Sequence, residues 1–195
     1  MYFYLWMKRL FLVIFLIYSY QGSFGQENRI RKVNSNAAAF IKNNKGEKGL
    51  VIFFLEPECP MCQKYTYTIN AITKKKPETH KLNFIGIFSG KDINETSVSN
   101  YIERYKIQFP VFIDTNFVVA DYLAATVTPE VFLLDKNDTV FYHGMIDNWY
   151  YSLGRRRNKP TEHYLEDNIH SLLNKQSAKY PSNEALGCII YKSDK

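Results

Sequence analysis

"FFLEPECPMCQKY" (residues 53–65) closes an apolar run and then sets Cys59 and Cys62 three positions apart. A pair at that spacing can hold a metal, staple a loop or exchange electrons with another thiol. The flanking sequence narrows the choice. Leading in, "LVIFFL" (50–55) is continuous and rich in β-branched and aromatic residues, the mark of a strand buried on both faces. Leading out, "PMCQKYTYTINAITKKK" (60–76) has helical spacing, with Pro60 suited to the first turn and Pro77 ending it. The cysteines stand where a buried strand hands over to a helix.

A structural zinc site needs four ligands, usually a second CxxC or a paired histidine. Only Cys188 remains, and His80, His143, His163 and His170 fall at no ligand spacing. No metal and no separate cofactor are expected. Compartment points the same way. "MKRLFLVIFLIYSYQGSFGQ" (7–26) has a basic start, then apolar residues from Leu10 to Tyr18, then Ser23 and Gly25 at −3 and −1 to a cut before Gln26. Residues 1–25 therefore read as a signal peptide, its apolar run too short for a comfortable membrane span of about 20 residues. An uncleaved anchor is the alternative, and the only way this reading involves a membrane. Either way the domain is exported, periplasmic or secreted. There disulfides persist, and CxxC is more often redox-active than zinc-bound.

With 195 residues, 46% apolar and 16% aromatic, the chain has enough material for one ordered domain. Its formal charge of +6 falls by two if Lys8 and Arg9 leave with the leader. The other cations are scattered apart from "KKK" (74–76) and "RRR" (155–157), which read as solvated surface. No nucleic-acid partner is expected.

Further along, "SNAAAFIKNNKG" (35–46) reads as a helix, "KLNFIGIF" (81–88) as a strand and "ETSVSNYIERYKI" (95–107) as a helix. "FPVFID" (109–114) is a strand, "NFVVADYLAA" (116–125) a short helix, and "EVFLLD" (130–135) with "TVFYHG" (139–144) a hairpin across "KNDT". "TEHYLEDNIHSLLNK" (161–175) reads as an amphipathic helix capped by Thr161. The expected organisation is signal peptide 1–25, one α/β domain 26–175 with a mixed sheet, and a tail 176–195 that packs on it through "GCII".

This order of elements, together with "FFLEPECPMC", "FPVFIDTNFVVADYLAATVTPEVFLLDKNDTVFYHG" and "GMID", resembles the thioredoxin-like superfamily in its redoxin and peroxiredoxin-like branch. The resemblance implies a thioredoxin-like fold, a central mixed sheet flanked by helices, and thiol–disulfide oxidoreductase activity. It implies a redox-active Cys59–Cys62 disulfide and a cis-proline facing it, on which Pro129 falls. In that family the residue before the proline, here Thr128, pairs main chain to main chain with the bound peptide. Pro60 and Met61 join Thr128 and Pro129 as substrate-binding candidates. Partners would be protein or small thiol and disulfide substrates, plus a thiol–disulfide electron partner. Cys59, at the start of the helix, feels its unpaired N–H groups and positive end, which favour the thiolate. That makes Cys59 the nucleophile, with Cys62 one turn inward as resolving thiol.

Departures from the family qualify this. Glu58 replaces the usual Trp before the first cysteine, and Phe53 stands where thioredoxin has a buried acid. Glu56 is the nearest replacement proton acceptor, although a solvated loop carboxylate is its ordinary reading. Two other functions compete. A peroxiredoxin-like peroxidase needs a hydroxyl three residues before its cysteine, where this chain has Glu56 or Cys59. A copper-binding chaperone of the fold uses CxxxC and a distant histidine; here the spacing is CxxC, and His143 reads as an ordinary strand-face residue. Cys188 reads either as a small buried hydrophobe or as a third, pairing thiol.

Overall fold

The computed structural model describes residues 30–75 and 81–192; the expected signal segment lies outside them. Strand β2 (Gly49–Phe54) organises the fold because all six of its residues are buried. Period-two alternation sends them to opposite faces. Val51, Phe53 and Leu55 join one apolar cluster, and Leu50, Ile52 and Phe54 join another. Burying each such side chain is worth about 1.5–3 kcal/mol, so this strand alone contributes a large share of the core.

Around it the elements run β1 (Ile30–Lys32), α1 (Ala37–Asn44), β2, α2 (Pro60–Lys74), β3 (Leu82–Ser89), α3 (Glu95–Tyr105), β4 (Val111–Asp114), α4 (Val118–Leu123) and β5 (Val127–Thr128). They continue with β6 (Glu130–Asp135), β7 (Val140–Gly144), β8 (Tyr150–Ser152), β9 (Arg155–Arg156), α5 (Tyr164–Leu173) and β10 (Cys188–Ile189). The main sheet has the order β1-β4-β3-β2-β6-β7. β1, β4, β3 and β2 pair in parallel, while β6 and β7 run antiparallel to their neighbours. Helices α2, α3 and α5 cover one face through Ile69, Ile72, Val98, Ile102, Leu165 and Ile169. Helices α1 and α4 cover the other through Phe40, Ile41, Val119, Ala120 and Leu123. The mixed sheet between two helical layers is the architecture the sequence implied.

Helix α5 departs from expectation at its start. It begins at Tyr164, and its N-terminal boundary residue is His163, which makes no side-chain cap. Thr161 is held instead by Asn148, whose side-chain oxygen accepts from the Thr161 and Glu162 N–H groups at 2.9 and 3.2 Å. The Asn148 amide donates back to Thr161 Oγ1 and Glu162 Oε2, both at 2.9 Å. A partner outside the helix has claimed the hydroxyl on which the capping expectation rested. The basic run is exposed, as read, and its guanidinium groups also meet neighbouring rings. Arg155–Arg156 is the second strand of a small hairpin, and Arg156 and Arg157 lie 4.9 and 5.4 Å from the rings of Trp149 and Tyr151.

After α5 the chain has no regular element until β10, yet it is tied down stepwise. The Asn168 side chain exchanges two 3.1 Å hydrogen bonds with the Tyr180 backbone. Asn183 N–H donates to the His143 carbonyl (3.1 Å), and Ser182 Oγ accepts from His143 N–H (3.0 Å). The Asn183 side chain accepts from Met145 N–H at 2.9 Å and donates to the Tyr142 hydroxyl at 3.1 Å. Gly144 makes this approach feasible: its φ of 133° suits glycine, and a Cβ there would strike the Asn183 backbone. Beyond Asn183 the tail turns to β5. Cys188 faces Thr128 and Ile189 faces Val127 in an antiparallel pair.

Candidate active site

Helix α2 sets the first half of the site. Cys59 is its N-terminal boundary residue, extended at φ −73°, ψ 115°, with Pro60 in the first turn. Pro60 lacks an N–H and its ring presets the helical φ, so the helix starts here without an unmet donor at that position. Cys59 N–H donates to the Glu56 carbonyl (3.2 Å), and the Cys59 carbonyl accepts from Gln63 N–H (3.0 Å). No side-chain oxygen caps this end, so the first-turn N–H groups and the positive end of the helix act at the sulfur.

The loop before β6 sets the second half. The Thr128–Pro129 peptide bond is cis. Cys59 Sγ lies 3.2 Å from the Thr128 carbonyl oxygen. Proline offers no N–H beside the sulfur, so a carbonyl, not a donor, faces it.

The expected Cys59–Cys62 bridge is not the one present. Cys59 is bonded to Cys188, 129 residues away, with Cα atoms 6.1 Å apart, inside the usual range for a disulfide. The reason is β10: its pairing with Thr128 delivers Cys188 to the mouth of the site. This excludes the reading of Cys188 as a mere buried hydrophobe. It also corrects the picture of Cys59 as the accessible sulfur, since under the tail Cys59 is only 1% exposed.

Cys62 is a free thiol and fully buried. Burial pushes its pKa up to about 12, with the negative charge of Glu56 adding to the rise. A backbone hydrogen bond from Glu56 and one from the Thr128 side chain pull partly the other way. Glu56 itself is partly exposed on the loop before the helix. With Pro57, Glu58, Thr128 and Ile189–Tyr191 it lines a cleft of about 460 Å³. Pro60 is exposed, whereas Met61 turns into the apolar core, against its reading as a substrate contact. Helical geometry explains the correction: the residue after Pro60 falls on the inward side of the first turn. Phe53, at the place of an acid in thioredoxin, is wholly buried and packs on Phe84 and Phe109.

One site feature was missed in the sequence. Buried Asp147 accepts from the Tyr65 hydroxyl (2.8 Å) and from Trp149 N–H (2.9 Å). Tyr65 lies on α2, one turn beyond Cys62, and also meets Trp149 and Tyr150 ring to ring. Burial raises the Asp147 carboxyl pKa, and burial together with the neighbouring Asp147 charge raises that of the Tyr65 phenol. The pair locks the cysteine helix to the segment after β7. Its signal was available in "GMIDNWYY", a lone acid among aromatics.

His143 stands 3.8 Å from Glu130 and stacks on Phe132. Among the described residues no cluster of three or more His, Cys, Asp or Glu is placed to hold a metal ion. Nor, among them, is any helix long and apolar enough to cross a membrane.

Comparisons with known proteins bear on the family and the fold. A thiol-disulfide oxidoreductase ResA of Bacillus cereus is 26% identical over 132 residues, 62% of this chain and 73% of that protein. A solved structure of a hypothetical protein from Sinorhizobium meliloti superposes with a TM-score of 0.66 at 20% identity, covering 80% of this chain and 85% of the other. An oxidised thioredoxin-like protein superposes at 0.54 with 16% identity, covering 79% and 94%. These likenesses carry the thioredoxin-like fold. The model of the Redoxin family matches residues 8–148, most of the chain and both halves of the cysteine site, and the protein belongs to that family.

Proposed function

We propose that this protein is an exported thiol–disulfide oxidoreductase in which Cys59 attacks and Cys62 resolves. The observation that carries the reading is Cys59 itself. It sits at a helix N-terminus, beside the Thr128 carbonyl, and is already joined to a second cysteine across the groove. The relative from Bacillus cereus named a thiol-disulfide oxidoreductase supports the same chemistry, and the signal-like pattern of residues 7–26 supports export.

In the reduced protein the Cys59 thiolate attacks a partner disulfide. One sulfur–sulfur bond breaks, a mixed disulfide forms, and the departing partner sulfur takes a proton. Cys62 then attacks Cys59, releasing the second partner thiol and closing Cys59–Cys62. Two electrons pass from the enzyme to the partner. Glu56, close enough to raise the Cys62 pKa by its charge, is the acceptor for the Cys62 proton. Thr128 and Pro129, with Pro60 opposite, shape the groove for a peptide or small thiol. A second thiol–disulfide protein restores the reduced state.

Insulin reduction in the presence of dithiothreitol tests the assignment. The wild type should turn over, Cys59→Ala should not, and Cys62→Ser/Cys188→Ser, with no second thiol left to displace the partner, should stall with its substrate attached. Persistent turnover by Cys59→Ala would remove the nucleophile from this account, and peroxide consumption well above the free-thiol rate would favour a peroxidase instead.

A further inference from the structure

We propose that Cys188 is a third redox cysteine of the exchange site, and that the strand carrying it is an internal occupant of the groove a partner's cysteine must enter. The inference rests on the attacking role of Cys59 given above.

A partner sulfur bonded to Cys59 must approach where the Cys188 sulfur now lies, beside a Thr128 carbonyl 3.2 Å from Cys59 Sγ. β10 takes up that space by backbone contact. Its residue 188 is in register with Thr128, and among the described residues β5 pairs with no other strand. The Thr128 hydroxyl donates to the Cys188 carbonyl at 3.4 Å, and Ile190 N–H donates to the Thr126 carbonyl at 2.8 Å. Gly187 fits because any Cβ would collide with the Thr128 carbonyl group. Ile190 is buried in the core, whereas Ile189 is 76% exposed. The groove thus accepts an extended segment with a small residue before its cysteine and an apolar one two places after it. A partner peptide of that kind and β10 cannot be bound together.

The covalent step balances within the chain. Cys62 attacks Cys59, the Cys59–Cys188 bond breaks, Cys59–Cys62 forms, and the Cys62 proton ends on Cys188. No electron is gained or lost. The reverse attack by Cys188 restores the disulfide seen here. High protonation of buried Cys62 slows this exchange. A tail thiol released by exchange stays tethered, so it returns to Cys59 at an effective concentration of order millimolar.

The test uses the full chain and a synthetic peptide, Ala-Leu-Gly-Cys-Ile-Ile, activated as a disulfide with an aromatic thiol. In reduced Cys62→Ser the peptide should join Cys59 and then be expelled by Cys188. In Cys62→Ser/Cys188→Ser the adduct should last about tenfold longer or more, because the tethered thiol is gone. Gly187→Val on the Cys62→Ser background keeps the thiol but bars its approach, and should behave like the double variant. Peptide mapping of the oxidised wild type should recover Cys59 linked to Cys188. Equal adduct lifetimes in all three, or a wild type linked Cys59–Cys62 with Cys188 open to alkylation, would overturn the inference while leaving the Cys59 assignment intact. Adduct formation as fast in Cys59→Ala/Cys188→Ser as in the wild type would bring down both.

Discussion

A buried thiol with its pKa near 12 is a poor nucleophile at neutral pH, because only the thiolate reacts. Cys62 should therefore resist iodoacetamide in the native oxidised protein. Its labelling rate should climb about tenfold per pH unit between pH 7 and pH 10, as expected while pH stays below the pKa. Mass spectrometry after timed quenching measures this directly, and labelling at pH 8 as fast as a free cysteine would contradict the burial argument. The sequence had put Cys62 one turn inward from Cys59, which is where it lies. It had not revealed that Cys59 would be covered, because the covering residue is 129 positions away. Nothing local to either cysteine encodes their meeting; β10 and β5 do, through backbone pairing that leaves little trace in two-residue strands. Pro129 was legible only through the resemblance of "TVTPEVFLLD" to a family segment, and Met61 was misread because spacing from a cysteine does not tell which way a first-turn side chain faces.

Longer elements were read more easily than short ones, for physical reasons. β2 and β6 are continuous apolar runs between two helical layers, so burial writes them plainly into the sequence. β1, β5, β8 and β9 have two or three residues each. Their existence depends on a neighbour's register, not on their own pattern. The segment from Asp147 to Glu162 shows how such loops are held. Asn148 is buried and satisfies four hydrogen-bonding groups at the entry to α5. Asn148→Ala should leave the Thr161 and Glu162 N–H groups, which lie near the surface, without that acceptor and cost about 1–3 kcal/mol, given about 0.5–1.5 kcal/mol net per hydrogen bond lost. Urea unfolding would show it, and an unchanged midpoint would mean the loop is held by something else. Thr161→Ala removes one acceptor only and should cost less.

At the scale of the molecule, the Cys59–Cys188 bond, between residues 129 positions apart, closes every element from α2 to β10 into one loop. Constraining so long a loop removes freedom from the unfolded state, typically worth about 2–4 kcal/mol. Oxidised Cys188→Ser, left with at most the short Cys59–Cys62 loop, should unfold more easily by about that amount. Equal denaturant midpoints for the two oxidised proteins would show that the long loop is not constraining. The architecture of two helical layers around a mixed sheet was implied by the order of elements. The closure by the tail was not, since "GCII" could mark a docking strand without naming its partner.

The contact of Ser182 and Asn183 with His143 has a bearing on solubility. β7 ends the main sheet, and a terminal strand with open N–H and C=O groups is a template on which another copy of the chain can add a strand. The tail consumes both groups of His143 and so shields that rim from self-association. A chain ending at Lys175 should consequently form concentration-dependent aggregates enriched in intermolecular β-structure, visible by sedimentation and infrared spectroscopy. Cys188→Ser, which keeps residues 182 and 183 in place, should stay monodisperse under the same conditions. If the shortened chain remained equally monodisperse, the rim would be guarded by its own twist and side chains rather than by the tail.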